Sequence, residues 1–209
     1  MVVFLTGANG GIGSSISSLL KSKNIKVVEP SSSELNLTGD LNVDNEPIDG
    51  FIHCAGINIL ANHSNITQEN LYKIFEVNTF SFLKLCSKLN LVNGSNVIGI
   101  GSLYSTLTKE NRIQYAMSKH AMYGAVKTLA LEMAENDIKV NLISPGFVDT
   151  KLTRKNNTKE RIEFLGNNIP LGLTTPEEIA KICLYFITEN KFITGQNIIV
   201  DGGYSLRNL

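Results

Sequence analysis

The sequence predicts an α/β fold: a doubly wound parallel sheet of about seven strands, three layers deep, in a single domain over residues 1–209. Three observations carry this expectation. Short apolar runs alternate with longer helical patterns along the whole chain. The strand-like runs are continuously apolar and rich in β-formers, as in a sheet covered on both faces. No repeat, linker or composition shift divides the chain.

In order, residues 2–6 read as a buried strand, 12–23 as a helix and 25–29 as a strand. About twenty residues separate Pro30 from the next strand, 51–54, which barely accommodates a crossover helix. A stub or an extended piece is expected there. Helical periodicity runs from Gln68 to about Leu91, "NVIGIG" at 96–101 is a strand, and a helix follows at about 112–135. "IKVNLIS" at 138–144 is the next strand. Thr175-Pro176-Glu177-Glu178 is a capping box with proline at the first helical position, opening a helix that reaches about Thr188. "NIIV" at 197–200 is the closing strand.

Composition narrows the function. The formal net charge is zero, with 19 basic and 19 acidic residues, which speaks against nucleic acid or an anionic membrane surface as partner. "MVVFLTGANGG" has neither the basic start of a signal peptide nor a transit-peptide pattern, and no run approaches the ~18 apolar residues of a bilayer span, so a cytoplasmic protein is expected. Cys54, Cys86 and Cys183 are scattered in apolar segments and read as buried thiols of a reducing compartment. His63 and His120 lack metal-ligand spacing, so no metal site is expected.

The chemistry gathers at two places. After the first strand comes "TGANGGIG", where Gly7, Gly11 and Gly13 permit a tight turn and bare backbone near a ligand. The helix opening near Ile12 aims its N–H groups and positive dipole at an anion. Further on, Tyr115 and Lys119 begin a helix otherwise made of core residues and, four apart, share one face. A free phenol titrates near 10, and an adjacent ammonium is expected to acidify it into a proton exchanger.

The spacing Thr6-Gly7-x-x-x-Gly11-x-Gly13, with Ser102 ending a strand about a dozen residues before Tyr115-x-x-x-Lys119 and with Asn78 in "VNTFSF", resembles the short-chain dehydrogenase/reductase family. The likeness covers essentially the whole chain and is closest to the compact 3-oxoacyl-carrier-protein-reductase-like members. It implies a Rossmann-type fold and an NAD(P)(H)-dependent oxidoreductase interconverting a ketone and a secondary alcohol. It also implies catalytic roles for Asn78, Ser102, Tyr115 and Lys119. Tyr115 would exchange the proton, Ser102 would steady the substrate oxygen, Lys119 would tune Tyr115 and hold the ribose, and Asn78 would hold a relay water.

By the same resemblance the cofactor contacts are Gly7, Asn9, Gly10, Gly11, Ile12, Gly13, Ser31, Asn36, Leu37, Ala55, Gly56, Asn78, Tyr115, Lys119, Pro145, Gly146, Val148 and Thr150. "DGFIHCAG" at 49–56 departs from the pattern, because His53 and Cys54 replace two asparagines, and a loss of sheet-stiffening hydrogen bonds is expected. An acidic residue would bind the ribose 2′-hydroxyl of NAD; the position is Ser31, which tilts the expectation toward NADP(H), although no Arg or Lys stands nearby. A substrate loop is expected at about 151–175. Its Lys151, Arg154, Lys155, Lys159 and Arg161 suit an anionic substrate, while the plainer and preferred reading is a solvated amphipathic helix with Glu160 and Glu163. The partners expected are a small carbonyl or alcohol substrate and further copies of the chain, as a homodimer or homotetramer through helices 68–91 and 112–135. The alternative is a non-catalytic dinucleotide-binding regulatory or scaffold protein of the same fold.

Overall fold

A computed structural model describes residues 1–207; the last two residues of the expected domain lie outside the described residues. Strands β1 (Val2–Thr6), β2 (Lys26–Val28), β3 (Ile48–His53), β4 (Leu91–Ile100), β5 (Lys139–Pro145) and β6 (Asn197–Val200) form one sheet. Their order is β2-β1-β3-β4-β5-β6, and every neighbouring pair is parallel. The chain leaves β1 first toward β2 and afterwards builds in the opposite direction from β3, so the winding reverses between β1 and β3. Ligands bind beyond the carboxyl ends of strands at such a reversal.

Among the described residues the sheet has six strands, one fewer than expected. The reason is the crossover from β2 to β3, which holds turns and extended chain but neither helix nor strand. The stub read from its length is what the chain forms. Leu35 and Leu41, 6 % and 1 % exposed, reach from it into the core in the place a crossover helix would fill.

Alternation along the strands builds two cores. Phe4, Phe51 and Val97 face one side, against Phe82, Met122 and Val126 of helices α3 (Ser81–Lys88) and α4 (Ile113–Glu132). Val3, Leu5, Ile52 and Ile98 face the other, against α1 (Gly11–Ser22) and α7 (Pro176–Thr188). Thr175 caps α7 by accepting the Glu178 N–H, as its capping box implies. Between α2 (Gln68–Phe75) and α3 lies one π turn, Glu76–Phe80, so the expected single helix carries a bulge at Asn78. The substrate-loop region holds α5 (Lys151–Lys155) and α6 (Lys159–Asn168), pinned by the buried Leu165 and Ile169.

If Leu41 seals the core in place of a crossover helix, Leu41→Ala lowers the unfolding free energy by about 2–5 kcal/mol in urea titration. A loss under about 0.5 kcal/mol, the range of surface substitutions, would show that the segment merely lies on the protein.

Candidate active site

The carboxyl ends of β1, β3, β4 and β5 meet at one groove. Gly7 turns the chain after β1 with φ +73°, and a Cβ there would lie 2.6 Å from the Ala55 nitrogen of the chain leaving β3. A Cβ on Gly13 would lie 2.1 Å from the Gly7 carbonyl oxygen. Only glycine fits either position, so bare backbone lines this end. Helix α1 starts at Gly11 with no side-chain cap and no acidic residue in its first turn. Its leading N–H groups are therefore left for an anion.

The groove has two lobes that share Gly10, Cys54, Gly56 and Ile57. One, of about 400 Å³, collects Gly7, Asn9, Asn36, Leu37 and Ala55 of the expected cofactor contacts. Ser31 does not line it. Its N–H is held by the Glu34 carboxylate at 2.8 Å and its hydroxyl by Ser33, and Ser32 faces the lobe instead. The other lobe, of about 330 Å³, collects Gly11, Ile12 and Gly13 with Pro145, Gly146, Val148 and Thr150. Ser102, Tyr115 and Lys119 line the same lobe. Thr150 also caps α5, and its methyl packs where a Cβ on Gly11 would fall.

Asn78 is fully buried beside the groove. It accepts the Ile57 N–H at 2.8 Å and donates to the Ile57 carbonyl at 3.0 Å and the Ser118 hydroxyl at 3.0 Å. A Cβ on Gly56 would sit 3.6 Å from Asn78 Oδ1 and 3.7 Å from Lys119 Nζ, so both side chains flank one stretch of bare backbone. Expected residues from four separate segments thus come together.

The electrostatics differ from the expectation for Tyr115 and Lys119. Lys119 donates to the Ile100 carbonyl at 2.7 Å, and its Nζ lies 5.8 Å from the Tyr115 ring centre. Burial holds the Lys119 ammonium down to about 8, the neighbouring Cys54 acting weakly the other way. Burial raises the Tyr115 phenol above its ordinary value, while Ser102 and Arg112 act to lower it. Desolvation opposes charge on both groups and is the largest influence on each, in place of the expected acidification of the phenol by Lys119. The groups that pull Tyr115 down are a hydroxyl and a guanidinium. Arg112 went unread because its buried charge acts on Tyr115 only in the folded chain.

The replacement of two asparagines by His53 and Cys54 does not strip the sheet of hydrogen bonds either. His53 is fully buried, and its Nε2 lies 3.1 Å from the Val77 carbonyl, which can only accept. Nε2 therefore carries the hydrogen, and Nδ1 accepts from the Thr6 hydroxyl at 2.9 Å. Thr6 in turn accepts the Ala55 N–H at 3.3 Å. One histidine thus ties β1 to the π turn that carries Asn78.

The chain has clear relatives. Residues 28–205 match the family model described as enoyl-(acyl carrier protein) reductase. The 3-oxoacyl-(acyl-carrier-protein) reductase FabG of Vibrio cholerae is 31% identical over 236 aligned positions, covering 97% of this chain and 96% of the relative. Carbonyl reductase family member 4 of Xenopus laevis is 30% identical, covering 96% of each. Among solved structures, a short chain dehydrogenase family protein from Francisella tularensis superposes with a TM-score of 0.88 at 29% identity, covering 99% of both chains. The fold of a 4-hydroxyisoleucine dehydrogenase complexed with NADH matches with a TM-score of 0.82 at 24% identity, over 99% of both chains.

Burial, with the Lys119 charge acting the same way and the bond to Val77 acting against both, leaves His53 neutral down to about pH 3, far below its ordinary value near 6.5. The unfolded chain takes up this proton below about pH 6.5 and the folded chain does not. The stability His53 contributes is therefore complete above that pH and is lost as pH falls toward 3. His53→Asn removes the dependence, so the stability difference between wild type and variant shifts toward the variant by about 1.4 kcal/mol per pH unit from pH 6 to 4. Parallel curves in urea titrations over that range would refute a neutral buried imidazole.

Proposed function

We propose that this chain, which belongs to the short-chain dehydrogenase/reductase family and is an NAD(P)-dependent oxidoreductase, interconverts a ketone and a secondary alcohol with Tyr115 as general acid and base. The observation that carries the reading is the convergence of Ser102, Tyr115 and Lys119 on the lobe that begins at the glycine-lined start of α1.

The residues present fit a dinucleotide. The uncapped α1 N-terminus and the Gly7–Gly13 backbone would hold its pyrophosphate, with Asn36, Leu37 and Ala55 around the adenosine. Val148 and Thr150 would hold the carboxamide end. The bound reduced nicotinamide supplies the hydride.

The remaining steps belong to side chains of this chain. In the reducing direction the Tyr115 hydroxyl donates its proton to the carbonyl oxygen, and the Ser102 hydroxyl donates a hydrogen bond to the same atom as negative charge gathers there. A phenol held above its ordinary pKa keeps that proton until the oxygen becomes basic. Lys119, held at about 8, exchanges protons near neutral pH and restores the one Tyr115 gives up. Asn78, locked to Ile57 and Ser118, fixes the floor on which that exchange takes place.

NADP(H) is the favoured cofactor. Glu29, the acidic residue at the end of β2, is turned away onto Ser17 and Lys21, and Glu34 is spent on the Ser31 N–H. The hydroxyl of Ser32 remains as the side chain facing the lobe there. Exposed Tyr72, Phe80 and Leu83 on the helix at 68–88, with Met117 and Leu131 on α4, support self-association as a dimer or tetramer. The proposed setting is the cytoplasm.

Tyr115→Phe lowers kcat on a ketone panel by on the order of 10²–10⁴-fold, while calorimetry finds NADPH binding within a few-fold of wild type. The same panel run with NADH gives the lower kcat/KM. Turnover by the Phe variant at wild-type rate would remove Tyr115 from the chemistry. Cofactor binding without reduction of any ketone by wild type would favour a regulatory or scaffold role.

A further inference from the structure

Among the described residues, six cationic side chains pair with carboxylates. Arg154 makes a two-pronged bond with Asp149 at 2.8 Å, and Lys21, Lys26, Lys84, Lys139 and Lys181 each pair with a carboxylate. Arg112, at the N-cap of α4, is different. It is 8 % exposed, its Nη1 is buried with no hydrogen-bond partner, and among the described residues no carboxylate pairs with it. Arg161, on α6 of the substrate loop, lies over the Phe164 ring at 4.9 Å with its buried Nε equally unpartnered.

These two arginines belong to one locus beside the reacting group. Arg112 precedes Tyr115 by three residues, about 4.5 Å along the axis, which places both on one side of the helix start. The Tyr115 ring meets the Tyr104 ring edge-on at 6.1 Å. Arg112 acts on both phenols in the lowering direction and Arg161 acts on Tyr104. Arg112 and Arg161 together, after desolvation, depress Lys109. Arg112 therefore lies within electrostatic reach of both tyrosines, one of them the proposed proton donor, and Arg161 and Lys109 lie within reach of Arg112's locus, with Glu110 beside Lys109 as the one carboxylate acting there.

Buried guanidinium N–H groups without acceptors are costly, and like charges drawn together add to that cost. An anion with several acceptor oxygens removes both penalties, and guanidinium is the group best shaped to bind one. We propose that Arg112, with Arg161 and Lys109 at its rim, is an anion subsite, and that the substrate is a small oxo acid whose carboxylate or phosphate lies a few bonds from the carbonyl that Tyr115 protonates. The proposal rests on the oxidoreductase reading of Tyr115. It separates this chain from a thioester reductase, since an acyl thioester is neutral around its carbonyl and would leave Arg112 unpaired.

The test measures kcat/KM for acetoacetate and levulinate against their methyl esters, and for dihydroxyacetone phosphate against dihydroxyacetone, in wild type and Arg112→Met. In wild type at least one anionic member exceeds its neutral counterpart by on the order of 10²-fold, and the ratio falls toward one in the variant. Whether the carboxylate or the phosphate pair shows it identifies the anion. The variant without ligand melts at or above the wild-type temperature, because it replaces an unpaired buried charge with an apolar chain of similar length. Ratios near one in wild type, or a ratio that Arg112→Met leaves intact, would overturn the subsite while the oxidoreductase reading stands. A lower melting temperature would make Arg112 structural and also overturn it. If wild type reduces none of the panel, the oxidoreductase reading is what fails. Calorimetric titration of acetoacetate and of inorganic phosphate into the NADPH-loaded protein then decides the subsite: binding lost in Arg112→Met upholds it, and no binding in wild type overturns it.

Discussion

The closeness of two backbones at the reversal of the sheet governs the rest of the site. The loop after β1 and the chain leaving β3 approach until a Cβ on Gly7 would overlap the Ala55 nitrogen. That contact brings the start of α1 beside the β3 extension, and the second lobe opens where β4 and β5 end next to it. A side chain at Gly7 or Gly13 would push α1 away from the sheet, and the uncapped N–H groups of the helix would lose the groove. Every polar group assigned a role here is placed relative to this one contact.

Desolvation then decides how those groups behave. Lys119 and Tyr115 are sunk into the same wall, and burial disfavours charge on each, moving one pKa down and the other up. Two groups whose ordinary values lie close together near 10 are thereby driven apart without a direct hydrogen bond between them. His53 follows the same logic. Kept neutral by burial, it can serve as both donor and acceptor, which an imidazolium could not.

Much of this was legible in the sequence, for identifiable reasons. Continuous apolar runs report strands buried on both faces, and the glycines after β1 report a backbone that must come close to something. Ser102, Tyr115 and Lys119 lie near one another in the chain, so local spacing could carry them. What escaped depends on partners distant in sequence. The π turn at Glu76–Phe80 has ordinary helical periodicity, and one of its freed carbonyls is taken by a histidine 24 residues away. Arg112 looks like a surface residue of a polar loop, and its burial exists only once the segment around Ala61, with which it forms a bridge, closes over it. The strand count failed for another reason. Only six strand-like runs are readable in the residues, and the expected seventh had no run of its own.

The short crossover shows what this fold can do without. Alignments with relatives run to 236 positions against a chain of 209 residues, so they contain gaps, and in this chain the crossover between β2 and β3 holds neither helix nor strand. That crossover leads to the outer edge of the sheet, one strand beyond the reversal. There β2 is a three-residue edge strand, and short edges resist pairing with other chains. Leu35 and Leu41 restore the covering of the sheet face that a helix would give. Groups assigned to proton transfer come from the ends of the central strands and from the helices behind them. Within the groove, the short segment lines only the other lobe. Ser32, Asn36 and Leu37 of this edge line the lobe away from Ser102, Tyr115 and Lys119, so the short crossover and the grouping of those three side chains are built by separate parts of the sheet.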